Sequence, residues 1–315
     1  MSLDWSRLAE KLLDPYELKA RLFPGLLLML PAILVVVDIY GPKNPFLAAL
    51  TAIVAACGGP YVLASLVRPW GVRAQKRLYA AWGGSPTTIL LRHGDSTLAG
   101  PTKTRYRQLI QSKLGLVMPT ADEEKADPVA ADELYAAAAD LLRPLTSDKK
   151  KYNFVFFENI SYGFNRNAHG IRWLGASIAL IVCIVTLFHA KVLIVRAPFV
   201  SVDGFDNFAI ADALTLAISA LLLTAWGFHF NGRTVWLAGV AYAKRLWEAL
   251  ETVKKAPTDS GVSVKSPAPA KTVATKTASV KTAVRKKPVT KKPAKRTSGG
   301  ASPSQDAETD ANGNG

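Results

Sequence analysis

The chain has 315 residues, 49% of them hydrophobic, and a formal net charge of +15. Its apolar residues gather in four long blocks, which sets aside a soluble two-domain reading of that length. The two cysteines, Cys57 and Cys183, both lie inside apolar blocks, so they offer no disulfide framework and no sign of an oxidising compartment.

The positive charge has two foci. Residues 256–315 carry eleven Lys/Arg against four acids, and residues 67–172 carry sixteen against ten. Each excess predicts anionic neighbours, whether lipid headgroups, nucleic acid or nucleotides.

Residues 1–21 read as an amphipathic helix, with Trp5, Leu8, Leu12 and Leu13 at helical spacing. Such a helix suits a membrane surface or a lead-in to a first span. The apolar run begins only at Leu22 and a second follows closely, so no removable signal peptide is expected. Residues 22–67 then form a transmembrane hairpin. Its first span, 22–40, tolerates Pro24, Gly25 and Pro31, a polar turn covers 41–45, and the second span is 46–67. Gly58-Gly59-Pro60 predicts a kink or a close helix contact in that second span.

A second hairpin at 171–230 has spans at 171–194 and 208–230, joined by a short loop. Residues 231–255 follow as an amphipathic helix with Val235, Ala238, Tyr242, Leu246 and Ala249 on one face. The Lys/Pro/Ala/Thr-rich tail, 256–315, buries too little surface to order itself and should be disordered. The expected fold is therefore all-α: four transmembrane helices as two hairpins, a helical insert at 68–170 and a basic tail. Lys/Arg near the span ends place both termini and the insert on the cytoplasmic side of the membrane, with Trp70, Trp173 and Trp226 as interfacial anchors.

The insert holds the unusual local sequence. Trp82–Asp95 reads W-G-G-S-P-T-T-I-L-L-R-H-G-D. Gly83-Gly84 can stop one helix while Ser85-Pro86 starts another. The same amides, with the hydroxyls of Ser85, Thr87 and Thr88, can instead cradle an anion. No Gly-Lys-Ser/Thr follows, so this is not a P-loop. Arg92-His93-Gly94 resembles the phosphohistidine motif of the histidine phosphatase superfamily over about five residues. That resemblance implies a phosphohydrolase using His93, although the insert is too short and too helical for the family's α/β sandwich.

Downstream, 102–117 predicts a helix with Tyr106, Leu109, Ile110, Leu114 and Val117 on one side. A polar linker separates it from a helix at 129–145, with Leu134, Ala138, Leu141 and Leu145 on one face. The two give a thin core that should lean on the spans. Farther on, Phe157, Ile160 and Phe164 make an apolar stripe, and Glu158, Tyr162, Arg166 and His169 a polar one. A Glu158–Arg166 pair can orient Tyr162 or bind a ligand. His93, Asp95, Glu158 and His169 lack metal-ligand spacing, so neither metal nor cofactor is expected. Within the spans, Asp38, His189 and Asp212 lie near the outer ends, and no mid-membrane chain of carboxylates suggests transport.

Two hairpins flanking Trp82–Thr88, Arg92–His93, Thr104–Tyr106 and Glu158–Asn167 resemble a group of uncharacterised bacterial inner-membrane proteins. The resemblance covers about residues 20–255 and implies architecture and a bacterial source. The leading functional expectation is a regulatory module that binds an intracellular anionic ligand or protein partner, without an assigned catalytic residue. Its candidate residues are Trp82, Gly83, Gly84, Thr87, Thr88, Arg92, His93, Arg105, Glu158, Tyr162, Arg166 and Asn167. The alternatives are an oligomerising effector that permeabilises the bilayer, packed through Gly58-Gly59-Pro60 and Gly175, and the His93 phosphohydrolase. For the basic residues 265–296, anionic lipid headgroups are expected, with nucleic acid as the competing partner.

Overall fold

The computed structural model describes residues 14–41, 44–45, 59–196, 199–202, 204 and 208–254. These are predominantly helical. In chain order the helices are α1 (Glu17–Tyr40), α2 (Gly59–Trp82), α3 (Pro86–Leu91), α4 (Gly100–Leu114), α5 (Ala121–Ala126), α6 (Pro128–Leu145) and α7 (Asn153–His189). Strands β1 (Leu193–Arg196) and β2 (Phe199–Val202) precede α8 (Ile210–His229) and α9 (Gly232–Glu248), which ends in a 3₁₀ turn, Ala249–Glu251.

Among the described residues, α1, α7 and α8 are long and apolar enough to cross a membrane, so the chain is a membrane protein. The expected second span falls largely on 46–58, outside the described residues, as do most of the N-terminal helix, Cys57 and the basic tail. What is visible of that span, from Gly59, runs without interruption to Trp82, past the basic residues Arg73, Lys76 and Arg77.

Several boundaries differ from the periodicity. No break separates an N-terminal helix from the first span, because α1 starts at Glu17 with a turn of π geometry and continues through Pro31. The polar linker contains α5, nucleated by a capping box in which Thr120 and Glu123 satisfy each other's backbone amides. The loop after α7 is a β-hairpin pairing Leu193 with Val202 and Arg196 with Phe199, so the chain is not wholly α. Its β-branched Ile194, Val195, Val200 and Val202 explain why. In α6 the buried face is Ala131, Tyr135, Ala138, Ala139 and Leu142, rotated from the expected one, and Leu141 is exposed. Val117 lies past the end of α4 and is exposed too.

Proline-free α7 is the central rod, and α1, α2, α8 and α9 all pack along it. It crosses α2 nearly backbone to backbone. A Cβ on Gly170 would stand 2.6 Å from the Trp70 carbonyl carbon, and one on Gly71 would stand 2.0 Å from Asn167 Oδ1. Small residues permit such approaches, which hold membrane helices together by dispersion. A third close contact seats the Trp226 indole against Gly175. Trp226 is 1% exposed, so it is a core residue and not the interfacial anchor expected; Trp70 and Trp173 are exposed.

A second core lies in the insert. Leu90, Leu91, Tyr106, Ile110, Tyr135 and Leu142 pack with Leu246, Trp247 and Leu250 of α9 and its 3₁₀ turn. Each such aliphatic side chain contributes about 1.5–3 kcal/mol on burial. Trp247 Nε1 donates to the Thr87 carbonyl at 3.2 Å, which satisfies both groups in that interior. The helix after the last span thus completes the core that the insert begins.

Gly170→Ala should cost about 1–3 kcal/mol, since backbone atoms cannot yield as a side chain does. Thermal melting of the purified protein in detergent should show a lower Tm for this variant. Gly94→Ala, where the added methyl meets open space, should leave it unchanged.

Candidate functional site

The motif W-G-G-S-P-T-T folds as punctuation. Gly83 and Gly84 take φ of +78° and +154°, which only glycine adopts cheaply, and Gly84 N–H closes α2 by donating to the Tyr79 carbonyl at 2.9 Å. Ser85 caps α3, accepting from Thr88 N–H at 3.3 Å, with Pro86 in the first turn. The hydroxyls of Thr87 and Thr88 are buried and turned onto Ser85 Oγ, at 2.8 and 2.9 Å. These groups are engaged with one another.

Arg92 is likewise turned inward. Its Nε donates to Asp132 Oδ1 at 2.9 Å, and Nη2 donates to Asp132 Oδ2 and the Gly83 carbonyl, each at 2.5 Å. Asp132 beside it pushes the guanidinium pKa still higher, outweighing partial desolvation. The fork clamps α3, the glycine turn and α6 together. His93 N–H donates to both Glu124 oxygens at 3.0 Å, and its Nε2 lies 3.0 Å from the Pro119 carbonyl. Glu124 also accepts from Tyr135 Oη at 2.5 Å. Burial opposes ionisation of Glu124, but these two hydrogen bonds, with the His93 and Arg107 charges, leave its pKa below the ordinary carboxylate value.

Lys103, three residues before Tyr106 and seven before Ile110 on the same helix face, is 4% exposed. Its ammonium donates to the carbonyls of Arg92 at 2.8 Å, His93 at 3.4 Å and Asp95. Arg107 donates to the Leu91 carbonyl. A short helix leaves carbonyls at its C-terminus without partners; Arg107 supplies that of Leu91 and Lys103 those of the cap residue Arg92 and the turn beyond it. Arg105 pairs with Glu251 at 2.7 Å on the surface, tying α4 to the turn after α9.

The second cluster serves helix packing. Tyr162 Oη lies 2.8 Å from Tyr79 Oη, and the Tyr162 ring stacks on Tyr242 with centroids 6.2 Å apart. Arg166 Nη1 donates to Gln75 at 2.8 Å, and buried Asn167 Nδ2 donates to the Ala20 carbonyl at 2.6 Å. Among the described residues no ion pair joins Glu158 to Arg166; Glu158 lies in the field of Arg245 instead. His169 Nδ1 lies 3.0 Å from the Phe230 carbonyl. Arg92 and His93 share no hydrogen bond with Glu158 or Arg166. What links the clusters is aromatic: Trp82 meets Trp236 edge-on with centroids 5.0 Å apart, in the same patch as Tyr162 and Tyr242.

Arg73, Lys76 and Arg77 face solvent on one stretch of α2, next to exposed Arg68 and Trp70, and Lys125, Lys150 and Arg233 are exposed elsewhere. Counted only among the Lys/Arg near the span ends, this face received no special weight. A further grouping was also missed. At the end of the bundle remote from the insert, Asp38 of α1, His189 of α7 and Asp212 of α8 bring donor atoms within 4.8 Å of one another. Compared with family models, curated proteins and solved structures, the chain matches none.

Two outcomes follow. Lys103→Met keeps the aliphatic stem but leaves buried carbonyls unpaired, so it should destabilise the protein by about 1–3 kcal/mol in chemical denaturation. The Glu124 contribution is complete above the unfolded-state value of 4.5 and is lost as pH falls through the lower folded-state value. Tm measured from pH 7 down to pH 3 (about the range a carboxylate spans) should fall less steeply for Glu124→Gln than for the parent chain.

Proposed function

We propose that the chain is a four-span protein of a bacterial inner membrane whose helical insert binds an intracellular anionic ligand in a regulatory or sensing role. Both termini and the insert lie on the cytoplasmic side. Two hairpins make the spans, the first completed by 46–58. The observation that carries the reading is the exposed triad Arg73, Lys76 and Arg77 on α2, three neighbouring cations that are not held by internal carbonyls or carboxylates. Spacing of three and four residues puts these cations on one helical face. That face sits where α2 crosses the α7 rod, so occupancy bears on an element that reaches the far end of the bundle.

Support for this reading over a His93 phosphohydrolase is geometric. His93 Nε2 is directed at a backbone carbonyl and Arg92 at a carboxylate, so neither is presented to a phosphoryl group. Gly175, one packing point of a permeabilising oligomer, is already filled by Trp226. The basic tail at 265–296 would add contact with anionic headgroups of the inner leaflet, at about 1 kcal/mol per base near the surface. A protein partner with an acidic surface would use the same triad.

The test is binding of ATP and of inorganic phosphate to a chain ending at residue 255, in nanodiscs of neutral lipid. Saturable binding that weakens as salt rises and is abolished in Arg73→Glu/Lys76→Glu/Arg77→Glu is expected. Arg92→Ala should lower Tm and leave the affinity unchanged. Absence of binding by either probe, or loss in Arg92→Ala at temperatures where it is folded, would sink the idea.

A further inference from the structure

The cluster at the far end of the bundle has a chemistry that none of the preceding structure requires. Its three residues come from three separate helices: Asp38 in the last turn of α1, His189 at the last residue of α7, Asp212 in the first turn of α8. Asp212 is 3% exposed, and its Oδ1 lies 2.9 Å from His189 Nδ1. Its Oδ2 accepts from Ala209 N–H at 3.3 Å. Asp38 sits beside Asp212 and Thr215, and its Oδ2 is buried without a hydrogen-bond partner.

Two carboxylates side by side at the edge of an apolar bundle repel one another, and a buried carboxylate oxygen without a donor is costly. A cation between them removes both penalties. Two carboxylates, one neutral imidazole and a dication sum to zero charge, the total that a low-dielectric site favours. We propose that Asp38, His189 and Asp212 bind a divalent transition-metal cation of the Zn²⁺ or Mn²⁺ class, which joins α1, α7 and α8 at this end.

The donor set selects that class. An imidazole beside carboxylates suits zinc and manganese, whereas Mg²⁺ and Ca²⁺ prefer oxygen alone. His189 Nδ1 and Asp212 Oδ1 are 2.9 Å apart and need only widen to the roughly 3.3–3.6 Å that separates two ligands about 2.0–2.2 Å from a tetrahedral ion. The Asp38 donor lies within 4.8 Å of both. His189 is 39% exposed in its side chain, so the site has a route to water. Three protein ligands also leave a coordination position for water. Nothing in this inference depends on the anion-binding face, which lies at the other end of the bundle.

The experiment is isothermal titration of Zn²⁺, Mn²⁺ and Mg²⁺ into the full chain in detergent after chelator treatment, paired with thermal melting. One Zn²⁺ per chain should bind saturably and raise Tm, Mn²⁺ should bind more weakly, and Mg²⁺ should do neither. Asp38→Asn, Asp212→Asn and His189→Gln should each lose the binding and the Tm response. Metal-free Asp38→Asn should melt at or above the metal-free parent, since the change removes a repulsion, and this separates ligand loss from misfolding. X-ray absorption of the zinc-loaded chain should show one imidazole among oxygen ligands. No saturable Zn²⁺ or Mn²⁺ binding, or binding retained in Asp38→Asn and His189→Gln, overturns the proposal. So does a Tm that rises on acidification and is indifferent to metal, which would assign the carboxylates a shared proton.

Discussion

The backbone-to-backbone crossing of α2 and α7 at Gly71 and Gly170 is the constraint on which the remaining structure rests. A side chain at either glycine would push the helices apart. With both absent, Asn167 can reach from α7 to the Ala20 carbonyl of α1, and Arg166 can reach Gln75 of α2. Three helices are thereby locked over one turn of the rod. In a bilayer, where apolar side chains gain little by leaving lipid, close packing and such hydrogen bonds carry the association. Because α2 leads directly into the glycine turn and α3, the same crossing sets where the insert begins.

Within the insert, cations act on the backbone more than on each other. Lys103 and Arg107 close the end of α3, Arg92 holds the Gly83 carbonyl, and Lys113 donates to the Leu250 and Glu251 carbonyls at 2.6 and 2.9 Å. Charge-assisted bonds of this kind are stronger than neutral ones. They let helices as short as α3 persist where propensity alone would not sustain them. The unusual composition of Trp82–Asp95 is thus largely the composition of a tight corner.

How much of this was legible follows from the range of each signal. The spans α1, α7 and α8 and the amphipathic α9 rest on runs of many residues, and Val235, Ala238, Leu246 and Ala249 fall on the buried face that their spacing predicts. Ser85-Pro86 announced its own cap, since capping is local chemistry. The rotated face of α6 was hidden because its alanine-rich sequence offers several equivalent apolar stripes. Lys103 was passed over because a lysine on a helix is exposed by default, although its spacing from Tyr106 and Ile110 puts it on the buried face, where carbonyls of a different element receive it. Asp38, His189 and Asp212 were each noted near span ends, but their convergence is a property of three helices and of no spacing along the chain.

The completion of the insert's core by Leu246, Trp247 and Leu250 has a consequence for biosynthesis. Residues 86–145 emerge from the ribosome well before those three, and the last two spans must be made in between. Until then Leu90, Leu91, Ile110 and Leu142 have no lid over them. The insert's core therefore closes last although most of it is translated in the middle, and that closure can come only after α7 and α8 have been synthesised.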